Sequence, residues 1–240
     1  MKKHIPNLFT FANLCCGLLA IMFALRHELD YAAFLVFLGI FFDFFDGLAA
    51  RLLKVESELG VQLDSLADLV TSGVVPGFVM MQLLASSIGS TAISGEWVLA
   101  SSFVPYIALL IPIASAYRLA KFNIDEEQKD SFIGLPTPAN AILILSLPLI
   151  IDYQFSELSA GIIHNYWFLI GLTLLSTFLL NAPIQLFALK FKSWGFKENA
   201  VRYVFIALCA ILLVLLKFVA IPVIITNYIF LSLFSKSKKG

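Results

Sequence analysis

A succession of long apolar runs separated by short polar breaks, near 6–25, 31–53, 61–87, 97–122, 138–153, 163–182, 200–217 and 219–234, constrains this chain more than any other feature. About 20 apolar residues in a helix cross the hydrocarbon core of a bilayer. In lipid, a helix satisfies every backbone donor and acceptor within its own segment. The last stretch, from Ala200 to Phe234, is too long for one crossing, and Lys217 with Pro222 supplies a break. The expectation is therefore an all-α polytopic membrane protein of about eight transmembrane helices, with seven as the alternative, forming a single integral membrane domain over residues 1–240. The opening basic residues before an apolar stretch have the outline of a signal peptide. No small-residue cleavage site follows, however, and the run is long enough to span, so it reads as a retained first helix.

Charge is scarce and unevenly placed. Hydrophobic residues make up 60% of the chain and charged ones 13%, against about a quarter charged in an ordinary soluble domain. A formal net charge of +0 offers no basic face of the kind nucleic acid requires, so no nucleic-acid partner is expected. With eight spans, only Arg26 and Lys217 of the 16 Lys and Arg residues fall opposite the termini. That asymmetry predicts cytoplasmic termini in the inner membrane. The basic stretch 190–197 and the tail 235–240 suit an anionic leaflet. Cys15, Cys16 and Cys209 lack metal-type spacing and read as small buried hydrophobes, and the three histidines are isolated from one another.

Against this background the carboxylates between 43 and 68 stand out. Asp43 and Asp46 are three apart near the end of the second run, and Asp64 and Asp68 are four apart at the start of the third. Residues at these spacings share a helix face. A hairpin across the polar stretch 54–60 would let all four meet at the membrane boundary. Unneutralised carboxylates at such depth repel one another and resist desolvation, so the arrangement asks for hard divalent cations with oxygen ligands.

The same stretch resembles the CDP-alcohol phosphotransferase family. Asp43, Asp46, Gly47, Ala50, Arg51, Gly60, Asp64 and Asp68 match its signature position for position. The resemblance implies that family's fold, a six-helix catalytic core here followed by C-terminal helices at 200–234, and a homodimer. It also implies a reaction in which an alcohol displaces CMP from a CDP-linked lipid. Two divalent cations, Mg2+ or Mn2+, would be held by Asp43, Asp46, Asp64 and Asp68, with Asp68 also the general base. Gly47 and Ala50 permit close approach, and the planar fork of Arg51 suits a diphosphate. Gly60 completes this group. Asn7 and Thr10 in the first helix match a Pro-Asn and Thr that face the nucleotide in family members.

Arg118, Lys121 and Asn123, followed by Gly134-Leu-Pro-Thr-Pro138, resemble the phosphatidylserine synthase branch of the family, as does the run from Asp64 to Pro76. The acceptor region is thus expected over 118–138, with CDP-diacylglycerol and L-serine as substrates. The serine carboxylate would meet Arg118 first, Lys121 second, with Asn123 as a polar contact. Alternatives stay open: inositol phosphate or glycerol 3-phosphate as acceptor, an archaeal ether lipid as donor, or, in another class, a cation- or proton-coupled transporter. A transporter accounts for the carboxylates but not for Gly47, Ala50, Arg51 and Gly60 at their spacings.

Overall fold

The computed structural model describes residues 4–55, 57–89, 103–124, 132–186 and 196–235. Most of the expected loop 88–96, the charged loop 125–131 and most of the basic stretches 190–197 and 235–240 lie outside them. Helix α1 (Ile5–Leu25) has Pro6 in its first turn, where the missing N–H costs nothing. Helix α2 (Leu29–Leu53) returns antiparallel to it, the two packed along buried Ala20, Ala24, Ala32 and Ala33. Small residues at such an interface let backbones approach closely.

The α2 end and the next start are defined by their caps. Lys54 adopts φ 53, and the N–H of Val55 reaches back to the Ala50 carbonyl at 3.0 Å. Ser57 then accepts from the Gly60 N–H at 3.1 Å, opening α3 (Glu58–Asp68). The expected polar stretch 54–60 is therefore shorter than its composition suggests, and Gly60 lies in the first turn of α3. Helix α3 continues through a π-helical stretch (Leu69–Val74) into α4 (Val75–Ser87). From Thr71 to Ala85 this 30-residue span is buried almost throughout, and it forms the centre of the bundle.

A 3-10 turn (Val104–Leu109) leads into α5 (Leu110–Ile124). A two-residue strand β1 (Phe132–Ile133) precedes α6 (Thr137–Tyr153), and α7 (Glu157–Ile163) and α8 (Tyr166–Asn181) form a pair bent by 64°. Strand β2 (Gln185–Leu186) pairs antiparallel with β1. Gly134, at φ 75, donates to the Ile184 carbonyl at 2.9 Å, and Leu135 to that of Leu179 at 2.8 Å, so the start of α6 is docked on the end of α8.

Helices α9 (Phe196–Leu216) and α10 (Ala220–Ser235) follow. By length and apolar composition, five described stretches can cross a membrane, Phe205–Leu233 counted as one, and the bent pair makes a sixth. The expected eight is not reached on that measure, and α6 falls short at 17 residues. Geometry separates the last stretch into two legs. The rings of Phe205 and Tyr228 lie 5.8 Å apart, whereas 23 residues of straight helix would part them by about 35 Å. Lys217, at φ 46, sits at the reversal. Of the cysteines only Cys16 is buried; Cys15 is exposed on the outer face of α1.

Candidate active site

The α2–α3 hairpin brings three of the four expected carboxylates together and leaves the fourth apart. Carboxylate oxygens of Asp43, Asp64 and Asp68 all lie within 4.8 Å of one another. Asp46 is not in that trio. One turn nearer the end of α2, it accepts a 2.6 Å hydrogen bond from the Thr10 hydroxyl. Asp46 and Asp64 both line a cavity of about 380 Å³ with Pro6, Asn7, Thr10, Gly47, Ala50, Arg51, Val55, Ser57, Gly60 and Val61. Every residue expected to meet the CDP diphosphate thus lies on one wall or another of a single cavity. Asp64 belongs both to that cavity and to the acidic trio.

The trio fits a metal ion. Its donors are hard oxygens from three carboxylates, and the Asp64 Oδ1 is buried with no hydrogen-bond partner. A buried carboxylate oxygen left unpaired is costly, and a divalent cation is its natural partner.

Arg51, at the exposed end of α2, donates from Nε to the Gly47 carbonyl at 3.0 Å. This i,i+4 contact lays the guanidinium along the glycine, with Nη2 4.0 Å from where a Gly47 Cβ would stand. Phe41, Phe42, Phe44 and Phe45 make tilted and edge-to-face ring contacts with one another and with Phe9 of α1.

Three supporting groups were not anticipated. Asn13, wholly buried, donates to Asp68 Oδ1 at 3.2 Å. Thr71, in the π-helical stretch, donates to the Asn13 backbone carbonyl at 3.1 Å. Ser57 is both helix cap and cavity wall. The signal for Asn13 was its place three residues after Thr10, itself three after Asn7, which puts all three on one face of α1. The π-helical stretch has no sequence signature, yet such bulges recur at functional sites. Tight packing fixes it: a Cβ on Gly17 would stand 3.1 Å from the Thr71 Cα, and one on Gly39 2.8 Å from both the Asn13 Oδ1 and the Thr71 Cγ2.

The expected acceptor group divides. Arg118 is buried at 8% exposure and within electrostatic reach of Asp68. Lys121 is exposed on α5. Asn123 is engaged with Ser65 of α3, with its Nδ2 donating to the serine Oγ at 3.0 Å, and so ties the two helices together.

Comparison with known proteins agrees with this geometry. The CDP-alcohol phosphatidyltransferase family profile matches residues 3–179. The chain is 40% identical over 145 residues to a CDP-diacylglycerol–serine O-phosphatidyltransferase of Bacillus subtilis (strain 168), covering 60% of this chain and 75% of that protein. A protein of the same description from Mycobacterium leprae (strain TN) is 33% identical over 232 residues, covering 94% of this chain and 72% of the other. One from Methanocaldococcus jannaschii is 31% identical over 173 residues, 72% and 71% of the two chains. With its signature carboxylates gathered at one end of an apolar helical bundle, the chain belongs to the CDP-alcohol phosphatidyltransferase family of integral membrane enzymes.

Proposed function

We propose that the protein transfers the phosphatidyl group of CDP-diacylglycerol to the hydroxyl of L-serine, giving phosphatidylserine and CMP. The observation that carries this reading is the abutment of the acidic trio on a cavity walled by the signature residues. The cavity takes the CDP head group, with Asn7, Thr10, Gly47, Ala50 and Gly60 lining it and Arg51 reaching the diphosphate at its rim. The lipid tails extend between helices. Asp43, Asp46, Asp64 and Asp68 would hold two divalent cations, Mg2+ or Mn2+, which when bound would supply charge neutralisation for the diphosphate and the leaving oxygen.

Thr10 fixes Asp46, and Asn13 fixes one oxygen of Asp68, so both carboxylates are held before substrate arrives. The serine hydroxyl gives its proton to Asp68 as its oxygen bonds to the phosphatidyl phosphorus. The bond from that phosphorus to the CMP phosphate breaks, and CMP leaves with the electron pair. Arg118, buried within electrostatic reach of Asp68, meets the serine carboxylate. Lys121 and Asn123 contribute to the approach from α5. The basic excess on one side supports an active site facing the cytoplasm, and family resemblance supports a homodimer.

The serine reading is supported by the relatives' descriptions, and Arg118, the one buried cation among the described residues, suits one carboxylate better than a phosphate dianion. It is tested with purified protein in detergent, CDP-diacylglycerol, a divalent ion and labelled serine. The expected result is CMP release with label in phosphatidylserine, and none when inositol phosphate or glycerol 3-phosphate replaces serine. Equal turnover with all three acceptors would overturn the serine assignment.

A further inference from the structure

Ten buried side-chain polar atoms among the described residues have no hydrogen-bond partner, and six belong to five residues: Ser72, Ser115, Arg118, Thr137 and Asn140. All five are more than nine-tenths buried. Asn140 is the extreme case, wholly buried with neither its amide nitrogen nor its amide oxygen paired. Buried polar groups are almost always satisfied, so a concentrated deficit marks a place where water or a ligand belongs.

Contacts between the elements bring these residues to one level of the bundle. Ser72 lies one turn beyond Asp68. A Cβ on its neighbour Gly73 would stand 2.9 Å from the Ser115 Cβ, so the π-helical stretch and α5 touch there. Arg118 is three residues after Ser115 and on its face. The Asn181 Nδ2 donates to the Ala114 carbonyl at 3.0 Å, while Leu179, two residues earlier, receives the Leu135 N–H. The end of α8 therefore aligns the start of α6, with Thr137 and Asn140, to Ala114 and Ser115. Helix α6 also packs against the π-helical stretch.

The chemistry of this level is specific: one guanidinium, an amide that both donates and accepts, and neutral hydroxyls, with Asp68 at one side. A small zwitterion complements it. Its carboxylate pairs with the Arg118 Nε and Asn140 Nδ2, and its ammonium with the Asn140 Oδ1 and hydroxyl oxygens. A phosphate-bearing acceptor would find only one buried cation among the described residues. We propose that Asn140, supported by Thr137 and Ser72, binds the α-carboxylate and α-ammonium of the amino-acid acceptor and sets the enzyme's preference for it. This deepens the serine reading and rests on it.

The test is steady-state kinetics of the full chain in detergent, with both substrates varied and thermal unfolding followed alongside. Asn140→Ala is expected to raise the serine KM about 10- to 100-fold, the loss of hydrogen bonds to charged groups. Thr137→Val, nearly isosteric and so the safer variant for folding, should raise it several-fold. In both, the KM for CDP-diacylglycerol should stay within about twofold, since a site for one substrate leaves the other's binding alone. Asn140→Asp, which sets a negative charge against the serine carboxylate, should also narrow discrimination between serine and ethanolamine. An unchanged serine KM in both Asn140→Ala and Thr137→Val would overturn the proposal and leave the level holding water only. Parallel rises in both KM values with a lowered unfolding temperature would overturn it in favour of packing alone. Failure of the wild-type protein to use serine reads out separately and counts against the reading beneath it.

Discussion

Asp64 is the residue on which the site turns, because it alone faces both the acidic trio and the cavity. Its Oδ1 has no partner, whereas Asp46 and Asp68 are each held by a neutral side chain of α1. Asp68→Asn keeps the shape and the Asn13 contact but removes the proton acceptor. Its turnover should fall by about 10²- to 10⁴-fold with CDP-diacylglycerol binding retained, read as kcat against nucleotide-analogue affinity. Thr10→Val deprives Asp46 of its donor. Its kcat/KM should fall roughly tenfold or more, and Thr10→Ser should restore most of it. The carboxylates were legible in the sequence because charge in an apolar run demands an explanation. Asn13 was not, since an asparagine between Ala12 and Leu14 reads as one small polar residue among lipid-facing neighbours. Its spacing from Thr10 places it on the site's face of α1, but what sets it apart is the Asp68 that meets it from a helix 55 positions away.

At the scale of elements, the site is assembled by ends and interruptions. The left-handed Lys54 and the Ser57 cap make the α2–α3 turn tight enough for the two acidic faces to meet, and the π-helical stretch carries Thr71 to Asn13. Long apolar helices announced themselves by length. The start of α3 did not, because Glu58 and Gly60 continue the polar break begun at Lys54 and only the cap reveals the stretch as helix. Gly134 is the most demanding backbone position at the α6 start. It holds φ 75, and a Cβ there would meet the Leu180 backbone carbonyl carbon at 3.0 Å. Gly134→Ala should therefore cost at least about 1–3 kcal/mol from the strained backbone alone, seen as a lower unfolding temperature in detergent.

For the whole molecule, the reversal at Lys217 decides how many legs the C-terminal stretch has. Length and the Lys217 and Pro222 break already divide this stretch in the sequence, and the Phe205–Tyr228 ring contact shows the two legs folded back on one another. A Phe205→Cys and Tyr228→Cys pair, with Cys15, Cys16 and Cys209 replaced by alanine, should be joined within one chain by a short bis-maleimide. A straight helix would hold the two about 35 Å apart and leave them unjoined. The arrangement of α1 to α6 serves a different end, bringing three carboxylates to one place. The most direct measurement is serine-dependent CMP release by purified protein after exhaustive chelation, then after return of Mg2+ or Mn2+. Activity should vanish on chelation and come back with the ion. Full activity in the chelated protein would contradict the reading of Asp43, Asp46, Asp64 and Asp68 as holders of divalent cations.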